Sequence, residues 1–140
     1  PLNDLVAVLL DAVPLDAIRC LRDPTRGGLA TTLSDLAAQS DAGIEIAETA
    51  VPVRDAVRAA CELLGLDPLY VANEGKLIAI VDPAAAGKAL VALRAHEHGR
   101  DATIIGRVKD EHRRRVVLRT ALGARRVVDM LVGEQLPRIC

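Results

Sequence analysis

Segments with helical periodicity alternate along this chain with short apolar segments that have the character of strands. Apolar residues recur at intervals of three and four between Leu2 and Val13, and Pro14 ends that pattern. Further helices are predicted over residues 29–42, 53–64 and 83–95, and strands over residues 17–21, 44–47, 77–81, 103–108, 115–119 and 125–128. This alternation predicts an α/β or α+β domain in which helices flank a mixed β-sheet.

Three of these elements carry more specific expectations. The segment over residues 77–81 is apolar throughout, so it is predicted to be a central strand that is covered on both faces. Asp82 is the expected N-cap of the next helix, with Pro83 at its first position. The helix over residues 53–64 is amphipathic, and Gly65 is expected to close it.

The core of such a domain has to be aliphatic, because 51% of the 140 residues are hydrophobic and Tyr70 is the only aromatic one. This length suits one compact domain. The 18 basic and 19 acidic side chains nearly balance, so no nucleic-acid partner is predicted. No apolar run reaches the roughly 18 residues that span a bilayer, so no membrane segment is predicted. Three cysteines without metal-like spacing suit a soluble protein of the reducing cytoplasm.

A glycine-containing turn over residues 23–28 connects a predicted strand to a predicted helix. Glycines at a helix N-terminus let backbone N–H groups approach an anion, and the helix dipole favours negative charge there. Arg26 adds a guanidinium fork for a phosphate or a carboxylate. The alternative, which the spacing alone favours, is a tight turn in which Gly27 and Gly28 only permit close packing of the helix.

A polar tetrad, Asn73-Glu74-Gly75-Lys76, separates two apolar segments. A carboxylate at the mouth of a buried strand loses hydration and becomes a stronger base, which would suit Glu74 to general-base catalysis. The alternative is a hairpin-like turn in which Glu74 and Lys76 are solvated, and the spacing by itself favours that turn.

The last residues of the chain have no sustained periodicity, and they end in Cys140. A thiolate is a strong acyl acceptor, and a cysteine on a mobile terminal arm can reach more than one active site. The alternative is that this cysteine has no role. The expected organisation is a linking helix over residues 1–13, a domain over residues 14–128 and a mobile tail over residues 129–140.

Other candidate residues have structural interpretations. His96 and His98 lack a further ligand at metal spacing, so no metal site is predicted. The basic run over residues 112–115 is interpreted as a charged strand edge that blocks aggregation. Cys20 and Cys61 lie on apolar faces and are predicted to be core residues.

Five motifs stand out when the sequence is viewed as a whole. They are Arg22-Asp23-Pro24-Thr25-Arg26-Gly27-Gly28-Leu29, Pro52-Val53, Cys61-Glu62-Leu63-Leu64-Gly65-Leu66-Asp67-Pro68, Asn73-Glu74-Gly75-Lys76 and Pro137-Arg138-Ile139-Cys140. With these motifs the chain resembles, over nearly its whole length, the C-terminal domain of the HypE family of carbamoyl dehydratases. That family belongs to the aminoimidazole ribonucleotide synthetase-like superfamily, and the Pro-Arg-Ile-Cys ending is its specific mark.

The resemblance implies an ATP-dependent role in the maturation of nickel-iron hydrogenases. The carbamoyltransferase HypF would place a carbamoyl group on Cys140, and the enzyme would dehydrate it to a thiocyanate with ATP. The cyano group would then pass to iron on the HypC-HypD complex. By its match to the motif, Glu74 is the candidate base for the dehydration.

The resemblance also implies how the site is built. Four residues of the glycine motif are candidates to shape the cofactor site: Asp23, Arg26, Gly27 and Gly28. The implied fold is a mixed sheet flanked by helices, like that of the synthetase C-terminal domain, with partial ferredoxin-like topology. Ser34-Asp35 stands where the family has Asn-Glu, which leaves the motif intact.

The family's N-terminal domain, which holds most of the ATP and Mg²⁺ and forms the homodimer, would precede Pro1. We therefore expect the chain to hold half of an active site and to be inactive by itself. Two alternatives stay open: another ATP-dependent synthetase or kinase of the superfamily, such as a selenophosphate or purine-pathway enzyme, and a non-catalytic module that docks partners.

Overall fold

The structure, a computed structural model, describes residues 1–130 and divides the chain into two compact units. Unit 1 consists of Pro1–Asp23 and Glu74–Ile104, and the described part of unit 2 consists of Pro24–Asn73 and residues 105–130. None of the helices within residues 1–130 has the length and apolarity that a membrane crossing requires. The expected division into residues 1–13, 14–128 and 129–140 stays a prediction.

Unit 1 combines two helices with a two-stranded antiparallel sheet. Its elements are α1 (Asn3–Ala12), β1 (Ile18–Arg22), β3 (Ile78–Val81) and α4 (Pro83–Ala95). Helix α1 ends at Ala12, as the position of Pro14 predicts, because a proline ring cannot continue a helix. The core is aliphatic: Leu9, Val13 and Ala89 are buried, and side chains from both strands pack against them.

Strand β3 differs from its prediction as a central strand. Within the described residues it pairs only with β1, and all four of its residues are half-buried. An apolar segment indicates that both faces avoid water, but it does not indicate which part of a protein covers them. Here Ala79 and Val81 face the core of unit 1.

The residue predicted as the N-cap of α4 lies at the expected position, but it does not make the expected capping contact. Asp82 precedes Pro83 at the start of the helix, yet its side chain makes no capping hydrogen bond. Instead its two carboxylate oxygens accept hydrogen bonds from Nε and Nη2 of Arg19, at 2.7 and 2.8 Å. These hydrogen bonds lower the pKa of Asp82 below its ordinary value. The carboxylate therefore joins β1 to the beginning of α4.

Unit 2 contains a four-stranded sheet and two helices. Its elements are α2 (Gly28–Ser40), β2 (Gly43–Ala47), α3 (Asp55–Leu64), β4 (Gly106–Lys109), β5 (Val116–Arg119) and β6 (Arg125–Val128). The strand order is β4-β2-β5-β6, with β2 parallel to β5 and the other pairs antiparallel. The sheet is therefore mixed, and the predicted fold class is confirmed.

Helix α2 covers one face of this sheet. Ile44 and Ile46 of β2 are buried there, and they lie in register with Val116 and Leu118 of β5. Leu33 and Ala37 of α2 are also buried, and the Ser34 hydroxyl donates to the Val128 carbonyl at 3.3 Å. Alternation along β2 thus places Ile44 and Ile46 in the core, while in β5 Val117 is buried as well as Val116 and Leu118.

Helix α3 ends as predicted, because Gly65 adopts the left-handed conformation (φ +67°) that closes a helix. Its burial is lower than its amphipathic pattern suggests. Cys61 is its one buried residue, whereas Leu63 and Leu64 are 88% and 71% exposed. Part of its apolar side is therefore uncovered within the described residues.

Candidate functional site

The glycine motif and the polar tetrad meet at a backbone contact within unit 2. The N–H of Asn73 donates to the carbonyl of Pro24 at 3.1 Å. Asp23 directly precedes Pro24 in the sequence, and Glu74 directly follows Asn73. The side-chain amide of Asn73 also donates to the Val71 carbonyl at 2.7 Å, which orients the start of the tetrad. The structure thus joins the glycine motif to the tetrad.

Glu74 and its neighbours lie at the surface. Glu74, Gly75 and Lys76 are exposed, and Gly75 has a positive φ of +69°. The expectation that a buried strand would desolvate Glu74 is therefore wrong for the residues described, because β3 is half-buried and the carboxylate is exposed. The surroundings are those of a solvated turn, and the role of Glu74 as a base stays a prediction.

The glycine pair has a packing requirement that the structure makes explicit. Gly27 and Gly28 both have positive φ, at +66° and +63°, and α2 begins at Gly28. A Cβ atom on Gly28 would lie 2.6 Å from the Leu69 carbonyl oxygen and 2.5 Å from that of Val71. Backbone atoms cannot move aside as side chains can, so only glycine fits at this position.

Arg26 is exposed and forms no ion pair within residues 1–130. Its guanidinium therefore has no competing carboxylate among the described residues. Asp23 is exposed as well. Neither side chain forms an ion pair within residues 1–130, and the ligand-binding role of each stays a prediction.

A short turn that the sequence analysis did not single out supports the glycine motif. Gly28 packs against the Leu69 carbonyl of this 3-10 turn, Pro68–Tyr70, and against the Val71 carbonyl directly after it. Oδ1 of Asp67 accepts from the Leu69 N–H at 2.9 Å, and Oδ2 accepts from Nη2 of Arg126 at 2.7 Å. The Asp67-Pro68 pair is the local signal for such a turn, but the sequence does not indicate the hydrogen bond between Asp67 and Arg126 of β6.

Tyr70 connects the same turn to the end of the described chain. Its hydroxyl donates to the Asp129 carbonyl at 2.8 Å. Partial burial raises the pKa of Tyr70 above its ordinary value, and the charges of Asp67 and Asp129 act in the same direction, while Arg126 opposes them. The neutral phenol is thus favoured in the folded state.

A spectrophotometric titration can test this directly, because Tyr70 is the only aromatic residue of the chain. We expect the phenolate absorbance of the native protein to rise with a midpoint above about 10, the ordinary tyrosine value, and the midpoint in denaturant to return to it. Since the folded-state pKa is raised, the stability linked to Tyr70 is complete below that value and is lost as pH rises through the folded-state pKa. A native midpoint at or below the denatured one would contradict the contact.

Cys140 and residues 131–139 lie outside the described residues, so the structure does not test the prediction of a mobile, modified tail. Within residues 1–130, no three or more His, Cys, Asp and Glu side chains form a group suited to a metal ion. Cys61 is buried and Cys20 is half-buried, and both are free thiols.

Comparison with known families and sequences gives a consistent result. Residues 1–119 match the family described as AIR synthase related protein, C-terminal domain. The chain is 60% identical over 139 residues to the carbamoyl dehydratase HypE of Azotobacter vinelandii, and 58% identical over 139 residues to that of Cupriavidus necator. These matches cover 99% of the chain but 40% and 39% of the relatives. The chain thus spans about two fifths of the length of the relatives it matches.

Solved structures agree with the sequence matches. A crystal structure of the hydrogenase maturation protein HypE superposes with a TM-score of 0.91 at 53% identity, covering 99% of this chain and 44% of that one. HypE in complex with ATP gives a TM-score of 0.89 at 52% identity, covering 99% and 42%. A HypE-HypF complex gives 0.87 at 44% identity, covering 94% and 42%.

Proposed function

Because the chain belongs to the family of AIR synthase related proteins, C-terminal domain, we propose that it is the corresponding domain of a HypE-type carbamoyl dehydratase. One observation carries the proposal: the likeness to the HypE of Azotobacter vinelandii reaches 60% identity and leaves almost no residue of the chain outside it. The alternative, another enzyme of the superfamily, does not account for the Pro137-Arg138-Ile139-Cys140 ending.

The proposed reaction removes the elements of water from a carbamoyl group on the sulfur of Cys140. An amide oxygen is a poor leaving group, so it first attacks the γ-phosphorus of ATP and releases ADP. The carbon–oxygen bond then breaks, phosphate leaves with the oxygen, and the nitrogen loses its protons as the carbon–nitrogen triple bond forms. The product is a thiocyanate on Cys140, and the reaction supplies the cyanide ligand of a nickel-iron hydrogenase.

Within this reaction Glu74 is assigned the removal of a proton from nitrogen, which is general-base chemistry. Its exposure in the isolated chain leaves the carboxylate accessible to a substrate. The hydrogen bond between Asn73 and Pro24 supports the assignment, because it fixes the backbone next to both Glu74 and Asp23.

The glycine motif is assigned to the nucleotide side of the site. Arg26 offers a guanidinium that forms no ion pair within residues 1–130, and the N-terminus of α2 offers N–H groups that favour a phosphate oxygen. Gly27, Gly28 and Asp23 would shape the backbone around that position. We assign Mg²⁺ and most of the ATP contacts to an N-terminal domain of the kind the family has, and we expect the isolated chain to be inactive.

The proposed partners are the carbamoyltransferase HypF, which loads Cys140, and the HypC-HypD complex, which accepts the cyano group. A complex of HypE with HypF has been crystallised for a protein 44% identical to this chain, which supports the first of these. We further propose that the full-length enzyme is a cytoplasmic homodimer. The cytoplasm fits the free thiols of Cys20 and Cys61.

Mass spectrometry of the full-length protein, co-expressed with HypF, tests the proposal. We expect a carbamoyl adduct on Cys140 that becomes a cyano adduct when ATP is added, and neither adduct in the variant Cys140→Ser. Cys20→Ser is the matched control and should keep both adducts. An adduct that survives Cys140→Ser, or a complete absence of adducts in the unmodified sequence, would refute the assignment.

A further inference from the structure

The face of the four-stranded sheet that points away from α2 has a defined set of residues. Because Ile44 and Ile46 face the helix, alternation places Glu45 and its cross-strand neighbours on the opposite side. We call this side the outer sheet face. It consists of Glu45, Arg107, Lys109, Arg115, Val117, Arg119, Arg125 and Val127.

The outer sheet face is strongly basic although the whole chain has a net charge of -1. It carries five cationic side chains and the single carboxylate of Glu45. That carboxylate lies 3.5 Å from Nζ of Lys109 and 3.8 Å from Nη2 of Arg125. The three remaining cations have no ion pair within residues 1–130: Arg107, Arg115 and Arg119. Positive charge is therefore concentrated here well beyond what the sheet itself neutralises.

The placement of these arginines is not explained by protection of sheet edges. Strands β4 and β6 are the edges among the described residues, so Lys109 and Arg125 can serve to block edge-to-edge pairing. Strand β5 lies between β2 and β6, and Arg119 on it needs no such role. Moreover, Arg119 lies directly opposite Arg125, and like charges in that arrangement are destabilising. The interpretation of residues 112–115 as an edge thus covers only part of the basic surface.

We infer that the outer sheet face binds a protein partner through an acidic surface on that partner. Guanidinium groups bind carboxylates with two parallel hydrogen bonds, and Val127, which is 41% exposed, adds apolar surface beside them. A cleft of about 290 Å³, lined by residues that include His112, Arg115 and Arg125, gives the carboxylates a place to enter.

Two observations favour a protein over other anionic partners. Of the five cationic side chains only Arg115 and Arg125 line the cleft, so the charge is spread over the sheet and is not gathered around one small-molecule site. No aromatic side chain is available on the face, so it has no platform for stacking nucleobases. Four strands span only about 14 Å, so the face is part of a small interface. Binding through such charges is expected to be transient and sensitive to salt.

The experiment uses poly-L-glutamate as the probe and follows the backbone amide signals of the 140-residue chain by NMR at low salt. We expect chemical-shift changes concentrated at residues 115–119 and 125–127. The double variant Arg115→Gln/Arg119→Gln should bind about fivefold more weakly. The matched control Arg58→Gln/Arg100→Gln removes the same charge from exposed positions elsewhere and should bind as the unmodified chain does.

Three results would overturn the inference. Equal weakening by the two double variants would mean that the probe senses only overall charge. Shift changes away from residues 115–119 and 125–127 would place the binding surface elsewhere. Tighter binding of a DNA duplex than of poly-L-glutamate to the same residues would assign the face to a nucleic acid.

Discussion

Replacing Gly28 with alanine is expected to lower the free energy of unfolding by on the order of 3 kcal/mol. Two costs combine at this position. Its φ of +63° is unfavourable for any residue with a Cβ atom, and that atom would lie 2.5 Å from the Val71 carbonyl oxygen. Because the obstructing atoms belong to the backbone, relief requires the turn at Pro68–Tyr70 to shift, together with the hydrogen bonds that hold it.

Gly65→Ala is the matched control for this prediction. Gly65 has a similar φ of +67°, but nothing lies within 4 Å of a Cβ atom built there. We therefore expect a loss of only about 1 kcal/mol, which reflects the backbone conformation alone. Denaturant unfolding monitored by circular dichroism measures both variants. Equal losses would show that the packing of Gly28 against the turn contributes nothing.

The same pair of glycines shows what a sequence can and cannot predict. Gly65 follows a helical pattern and precedes Pro68, so its role as a helix terminator is a local matter and was predicted. The need for glycine at position 28 arises from carbonyl groups about forty residues further along the chain. A local pattern therefore indicates that a turn occurs at Gly28, but not what the glycine packs against.

Element boundaries were largely predictable because they depend on local chemistry. Pro14 ends α1, and β5 and β6 lie within the predicted strand segments, whereas β4 begins at Gly106, three residues after its predicted start. Burial was less predictable. The apolar strand β3 has a single partner within the described residues, and α3 leaves Leu63 exposed. Both patterns indicate that these residues avoid water, but they do not indicate which part of a protein covers them.

The same distinction between local and long-range features applies to the candidate site. The motif residues could be identified from the sequence, and the structure joins the two motifs by the hydrogen bond between Asn73 and Pro24. The contacts that support the site are long-range. Arg126 reaches Asp67, and Tyr70 reaches Asp129, each across 59 positions of the sequence. No periodicity or spacing indicates pairs of that kind.

Glu74→Gln in the full-length enzyme is expected to slow thiocyanate formation by about 10²–10⁴-fold, the usual contribution of a general base. Glutamine keeps the size of the side chain and its hydrogen-bonding capacity, but it cannot accept the proton that nitrogen must lose. Because Glu74 is exposed, the substitution should leave the free energy of unfolding almost unchanged. Loss of activity would then report chemistry and not folding.

The decisive readout is which adduct accumulates on Cys140. In the proposed reaction HypF loads the carbamoyl group before the base is needed, so the variant should collect the S-carbamoyl form and convert it to the cyano form only slowly. Mass spectrometry at successive times after ATP addition separates the two species. Glu62→Gln, which changes an exposed carboxylate on α3 in the same way, is the matched control and should convert at the normal rate. Conversion by Glu74→Gln at the rate of that control would leave Glu74 as a solvated turn residue, and the proton would have to leave through another group.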